Sequence, residues 1–186
     1  MKFQILKKED FTPNKWSGGD TTELFIYPEH CKYSDKDFLF RLSLATIEVE
    51  ESIFTPLNGY LRKLLVLKGE LELSHLRQHT TNLSPYNFDS FDGSWETSSK
   101  GKANPFNTIY KSGIEVSYKS IKSSNEVQIC ETLNSDFTFL YVITGDIAVT
   151  GQEIRQGDLV KVQKSFGSFP VKLNSNTNLL IVKINL

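Results

Sequence analysis

An all-β fold with an internal duplication is what the sequence predicts, and three observations predict it. Thirteen Phe and seven Tyr sit among many short apolar runs of period two, punctuated by Gly, Asn, Ser and Pro. No stretch carries the 3.6-residue apolar period of a convincing amphipathic helix. Finally, Leu64-Leu65-Val66-Leu67-Lys68-Gly69-Glu70-Leu71-Glu72-Leu73 returns 76 positions later as Leu140-Tyr141-Val142-Ile143-Thr144-Gly145-Asp146-Ile147-Ala148-Val149.

The first special stretch is Trp16-Ser17-Gly18-Gly19-Asp20-Thr21-Thr22-Glu23, which precedes the strand-like Leu24 to Tyr27. Adjacent glycines permit close backbone approach, so the polar side chains around them can be aimed at one point. An ordinary loop-to-strand junction is the competing reading. Asp37 to Val49 is the clearest strand pattern: Phe38, Phe40, Leu42 and Leu44 share one face, and Leu39, Arg41, Ser43 and Ala45 the other. Asn58-Gly59 signals a turn. Beyond it, Tyr60 to Leu67 leads through Lys68-Gly69-Glu70 into Leu71-Glu72-Leu73, which reads as a hairpin. From Ser74 to about Asn107 the periodicity fades into a long loop whose rings, Tyr86, Phe88, Phe91, Trp95 and Phe106, are expected to pack on something. Strand patterns resume at Ile109 to Ile121, Glu126 to Leu133, Phe137 to Ile143, Ile147 to Val149, Leu159 to Val162, Phe169 to Leu173 and Leu179 to Ile184.

Composition narrows the function classes. A chain of 186 residues with 39% hydrophobic content can bury a substantial core. The 21 basic and 22 acidic residues nearly cancel and form no basic stripe, so no nucleic-acid partner is expected. No apolar window approaches a membrane span or a signal peptide, and the expectation is a cytoplasmic protein without a membrane partner. Cys31 and Cys130 lie far apart in no C-x-x-C pattern; both are expected to be reduced, Cys130 within a buried strand.

The duplicated unit is an apolar strand, a Gly-Asp/Glu turn and a second strand. Its second copy continues through Gly157-Asp158 into the apolar Leu159 and Val160. This succession resembles the small antiparallel barrel of the cupins, and its duplication implies a bicupin: two related antiparallel jelly-roll barrels packed together, the first about 1–104 and the second about 105–186. Cupins commonly bind a metal through His-x-His, a Glu six intervening residues before the turn glycine, and a later His. Here Arg62 stands in the place of that Glu, and Pro56 and Asn58, or Thr55 and Leu57, in the His-x-His places. In the second copy Thr138 and Val160 occupy donor places. A guanidinium repels a cation, so neither barrel is expected to hold a metal or other cofactor.

Arg62 changes the sign of the expected ligand, because an Arg aimed into a barrel mouth favours a carboxylate or phosphate. Arg41, Thr21 and Glu23 lie on strand faces that can join it; a structural Arg62–Glu23 ion pair is the competing reading. His75 and His79 are four apart with no third ligand nearby in sequence, and His30 beside Cys31 is equally isolated, so no metal site is expected from them. Asp92-Gly93 reads as a turn. No nucleophile elbow, Ser-His-Asp order, phosphate-cradling loop or paired-carboxylate motif is recognisable.

Trp16, Gly18-Gly19-x-Thr21-x-Glu23, Phe40-Arg41-x-Ser43-x-Ala45, Phe54, Arg62, the Gly69 turn, Phe91-Asp92-Gly93 and Phe106-Asn107 together resemble the HutD/Ves family of bicupins. The likeness spans most of the first 107 residues; the second half matches in strand and turn pattern. Phe40 replaces the family's usual Trp, and Pro105 the usual Asp of Asp-Phe-Asn, which removes a carboxylate. The resemblance implies a cytoplasmic, metal-free bicupin with no established catalytic activity, associated in some bacteria with histidine utilisation and in others with stress or cold response.

The leading expectation is a non-catalytic binding or regulatory protein for a small acidic metabolite. Arg41 and Arg62 would hold its carboxylate, Trp16 would wall the pocket, and Thr21, Glu23 and Asn107 would set orientation. One alternative is a metal-independent lyase, isomerase or hydrolase acting on a small carboxylic acid, with Glu23 as general base, although a carboxylate between arginines is a poor proton acceptor at neutral pH. The other is a protein-interaction module docking through the loop from Tyr86 to Phe106. Homodimerisation through an edge strand is a further expectation.

Overall fold

The computed structural model describes residues 3–163 and 167–186. Among them the regular elements are strands and two 3-10 turns, at Lys8–Asp10 and Tyr33–Asp35. The chain divides into two compact units, one of residues 11–112 and one of residues 1–10 with 113–186. Strand β1 (Phe3–Leu6) belongs to the second of these.

The unit of residues 11–112 contains β2 (Pro13–Trp16), β3 (Gly19–Tyr27), β4 (Phe40–Ile47), β5 (Glu51–Ile53), β6 (Tyr60–Gly69), β7 (Leu71–His75), β8 (Thr80–Leu83), β9 (Phe88–Asp92), β10 (Thr97–Lys100) and β11 (Ala103–Lys111). They form two antiparallel sheets, β2-β3-β4-β11-β6-β9 and β5-β10-β7-β8. Leu64, Val66, Leu71, Leu73, Leu83 and Phe91 from both sheets form one buried cluster, and Phe38, Leu57, Tyr60 and Ile109 form a second.

Three sequence expectations change here. The repeat is real, but it is a sheet corner rather than a hairpin: β6 pairs with β11 and β9, whereas β7 pairs with β10 and β8. The polypeptide leaves one sheet and joins the other at Gly69, whose φ is +84°. Next, the expected loop from Ser74 to Asn107 contains β8, β9, β10 and the start of β11. These strands are short and rich in Ser, Thr and Asn, so they show little hydrophobic alternation. Of the rings in that stretch, Phe91 and Phe106 are buried and Trp95 packs on the apolar cluster, while Phe88 is half exposed. Lastly, the expected border at 104/105 falls inside β11. Asn104 and Pro105 form a bulge, a position where a residue without an N–H is tolerated, and pairing continues to Lys111.

The second unit adds β12 (Glu115–Ser123), β13 (Val127–Leu133), β14 (Phe137–Thr144), β15 (Asp146–Val149), β16 (Gln152–Arg155), β17 (Leu159–Gln163), β18 (Gly167–Leu173) and β19 (Thr177–Asn185). Its sheets run β1-β17-β14-β19-β12 and β13-β18-β15-β16, and β14 to β15 repeats the corner at Gly145. The expected run from Ile109 to Ile121 is divided between β11 and β12 at a turn through Gly113. Leu140, Val142, Ile147, Val149, Val160 and Val171 fill the interior with aliphatic side chains. Thr138 is buried with its hydroxyl against that of Ser135 at 2.9 Å. Cys31 is buried, but Cys130 lies on the exposed side of β13, a correction to its expected burial; both are free thiols.

Asp158 in the Gly-Asp turn before β17 fastens the chain ahead of it. Its carboxylate accepts hydrogen bonds from Lys7 Nζ at 2.9 Å, the Lys8 amide at 3.0 Å and the Arg155 amide at 3.1 Å. Burial alone would raise its pKa, but these donors outweigh burial and lower it. A carboxylate depressed in the folded state contributes stability above its unfolded pKa of about 4, and that stability is lost as pH falls through the folded value. Asp158→Asn should therefore cost about 1–3 kcal/mol at pH 7. Urea midpoints should show the deficit shrinking towards pH 3.

Candidate functional site

A cleft of about 1550 Å³ opens in the unit of residues 11–112, and Trp16, Thr21, Glu23, Arg41, Arg62 and Asn107 all line it. Strand register explains their convergence. Glu23, Ser43, Asn107 and Leu64 form one row across β3, β4, β11 and β6. Arg41 and Arg62 flank Ile109 in the neighbouring row. A bulge between Glu23 and Phe25 lets Glu23 line the cleft while Ile26, three residues on, stands opposite Arg41.

The two arginines have different partners. Arg41 donates from Nε to Glu23 Oε2 at 2.6 Å and from a terminal nitrogen to Ser43 Oγ at 3.3 Å. Its guanidinium also stacks over the Tyr33 ring, 4.5 Å from the centroid. The anticipated Arg62–Glu23 pair is not formed, because Glu23 is engaged by Arg41. Glu23→Gln removes the counterion of a largely buried guanidinium and should cost about 1–3 kcal/mol in a urea titration, Glu23 itself being partly solvated.

Arg62 is 5% exposed and has no carboxylate partner among the described residues. One terminal nitrogen donates to the Thr55 carbonyl, the guanidinium lies 5.5 Å from the Phe54 ring centroid, and Nε is buried without a hydrogen-bond partner. Burial lowers its pKa, with Tyr33 opposing and the like charge of Arg41 adding to the fall. Guanidinium nevertheless remains protonated at physiological pH. Asn107 likewise keeps Oδ1 buried without a partner. An amide can turn end for end, so Asn107 can present either an acceptor or an N–H to a bound group.

Trp16 ends β2 opposite Gly19, and its ring lies over Gly18, where any side chain would collide with it. With 40% of its surface exposed it forms a rim rather than a closed wall. Tyr33, unremarked in the sequence, sits in a 3-10 turn where no periodic signal marks it. The Thr55 contact is made by a main-chain carbonyl, which residue type cannot reveal. Pro105 lines the cleft where the family resemblance places an aspartate.

The family model for HutD matches residues 8–181. The chain has no match among curated proteins at the level of sequence. A conserved protein of unknown function from Pseudomonas aeruginosa, PA5104, superposes with a TM-score of 0.82 at 20% identity, with 100% of both chains covered. HutD from Pseudomonas fluorescens gives 0.79 at 19% identity over 99% of this chain and 98% of its own. The nickel(II) complex of the bacterial pirin YhhW from Escherichia coli gives 0.75 at 10% identity over 98% of each chain. The last three likenesses establish the cupin-like fold, and the match over nearly the whole sequence establishes the relationship: this chain belongs to the HutD family.

Proposed function

We propose that the cleft of the 11–112 unit binds a small carboxylate-bearing metabolite and leaves it chemically unchanged, so that the protein acts as a binding or regulatory module. The observation carrying this reading is Arg62, a buried cation without a counterion among the described residues and with an orphaned Nε. Burying a charge without a partner costs several kcal/mol, and a bound carboxylate offsets that cost with charge-assisted hydrogen bonds. Glu23, already engaged by Arg41, suits a role in orienting an amine or amide N–H better than that of a free general base. The cleft exceeds the roughly 300–1,000 Å³ of most small-molecule sites, so the ligand occupies the end framed by the arginines and Asn107. A formylated or amino dicarboxylate, consistent with the histidine-utilisation context of the family name, fits that chemistry.

The test is calorimetric titration and thermal shift with a panel of mono- and dicarboxylates, formate and glutamate included, each also followed for turnover. At least one acid should raise the melting temperature of the wild type and not of Arg62→Ala. Equal stabilisation of both proteins, no stabilisation by any acid, or turnover of one that Glu23→Gln abolishes would overturn the reading.

A further inference from the structure

The geometry points to a second site: His75 Nε2, His79 Nε2 and Asp89 Oδ2 form a three-ligand centre for a borderline divalent transition ion such as Zn²⁺. The histidines are four apart in sequence, but their third partner arrives from the other sheet. His75 ends β7 and His79 immediately precedes β8, across a turn closed by His75 N–H to His79 O at 2.9 Å and Gln78 N–H to His75 O at 2.9 Å. Asp89 lies on β9 of the larger sheet. Its Oδ2 is 3.0 Å from His75 Nε2 and 2.9 Å from His79 Nε2, and all three donor atoms fall within 4.8 Å of one another. Donors bound tetrahedrally at Zn–N and Zn–O lengths stand about 3.3 Å apart, so modest outward movement admits the ion.

The surroundings of His75 suit a ligating role. Its ring is buried between Phe91 and Trp95, at centroid distances of 4.4 and 5.6 Å. Its Nδ1 is 2.8 Å from Thr97 Oγ1, and that hydroxyl reaches the Trp95 carbonyl at 3.3 Å. A hydroxyl has one proton. Once Thr97 gives it to Trp95, Nδ1 must be the donor to Thr97, and Nε2 presents a lone pair towards Asp89. In that tautomer a cation held between Nε2 and Asp89 Oδ2 satisfies both acceptors, whereas in the other tautomer Nε2–H donates to Asp89. An outer hydrogen bond fixing the tautomer of a ligating histidine is the usual support of such a centre. The exposed His79 ring gives the ion a route from solvent, and water completes the coordination. Joining β7–β8 to β9, the ion would brace the two sheets of this unit.

The test uses tag-free, chelator-stripped protein titrated with Zn²⁺ by calorimetry and with Co²⁺ by visible absorption. One equivalent should bind, raise the melting temperature and give a d–d spectrum. Affinity should fall at least tenfold in His79→Ala and in Asp89→Asn, and be unchanged in His30→Ala. Both affected side chains are partly solvated, and circular dichroism verifies their folding. No one-equivalent binding, or binding that survives both substitutions, overturns the proposal and leaves a hydrogen-bonded clamp. Carboxylate binding in the cleft, whose lining includes none of these three residues, is read separately through Arg62.

Discussion

Replacing Arg62 by methionine is expected to stabilise the ligand-free protein while abolishing its response to carboxylates. The side chain is buried, its charge lacks a counterion among the described residues, and its Nε has no acceptor. Methionine keeps much of the volume and the contact with Phe54 without the desolvation cost. The Thr55 carbonyl that loses its donor belongs to an exposed residue and can turn to water. Replacing buried ion pairs by apolar side chains of similar volume is often neutral or stabilising by about 1–4 kcal/mol, and Arg62 has no pair energy to lose, so an upward shift in stability of about 1–3 kcal/mol in a urea titration is the expected result. Carboxylate affinity should fall at least about 30-fold, the loss of a buried charge-assisted contact being worth roughly 2–5 kcal/mol. Stability and binding moving in opposite directions is the diagnostic outcome. If Arg62 serves only to hold Thr55, Arg62→Met lowers stability and leaves any carboxylate response intact.

Arg62 was legible in the sequence for a simple reason: it occupies a place where related barrels put a metal-binding carboxylate. The other cleft residues followed from strand alternation, since Arg41, Ser43 and Ala45 share a face and Thr21 and Glu23 lie two apart. What alternation could not supply was which arginine Glu23 meets. The bulge between Glu23 and Phe25 shifts the register, and the Glu23–Ser43 pairing places the carboxylate beside Arg41. The same limit explains the hidden strands between Ser74 and Asn107, whose polar residues and short lengths leave little apolar pattern. Asp89 was invisible as a partner of His75 and His79 because it enters from a different sheet, and only the fold brings those strands together. In contrast, the apolar strands β14, β17 and β19 could be read almost to their ends: they are buried along most of their length, so nearly every side chain reports the same environment.

Pro105 has a double consequence. Its ring tolerates the β11 bulge, where a ladder hydrogen bond is already lost, and it adds no charge to the cleft. An aspartate at this position would add a negative group to a lining that already contains Glu23, Glu51 and Glu72. With proline there, the lining carries Lys15, Arg41, Arg62 and Lys100 against three carboxylates, and the proposed anion site meets no fourth one.

Gly69→Ala is expected to be among the most damaging single-methyl additions in the chain. The residue turns the polypeptide from β6 into β7 with φ at +84°, a conformation that costs an L-residue about 1–2 kcal/mol. A methyl group there also strikes the carbonyl oxygen of Lys102, in the β10–β11 connection, and comes within 2.9 Å of Cα of Ala103, the first residue of β11. Neither can yield without shifting the start of β11, which carries Asn107 and Ile109 into the cleft. The two effects together should cost about 3–5 kcal/mol. Gly59→Ala separates them, because that glycine has φ at +79° with nothing within 4 Å of an added methyl; it should cost only about 1–2 kcal/mol. Gly145→Ala tests the duplication, since its methyl would meet Thr177 Oγ1, the hydroxyl that donates to the Asp146 carbonyl at 3.0 Å. Equilibrium urea unfolding of the three variants should rank Gly69→Ala and Gly145→Ala together and well below Gly59→Ala. Three equal losses would mean that backbone conformation alone sets the cost, and that the close approach at the corner has no energetic part in the fold.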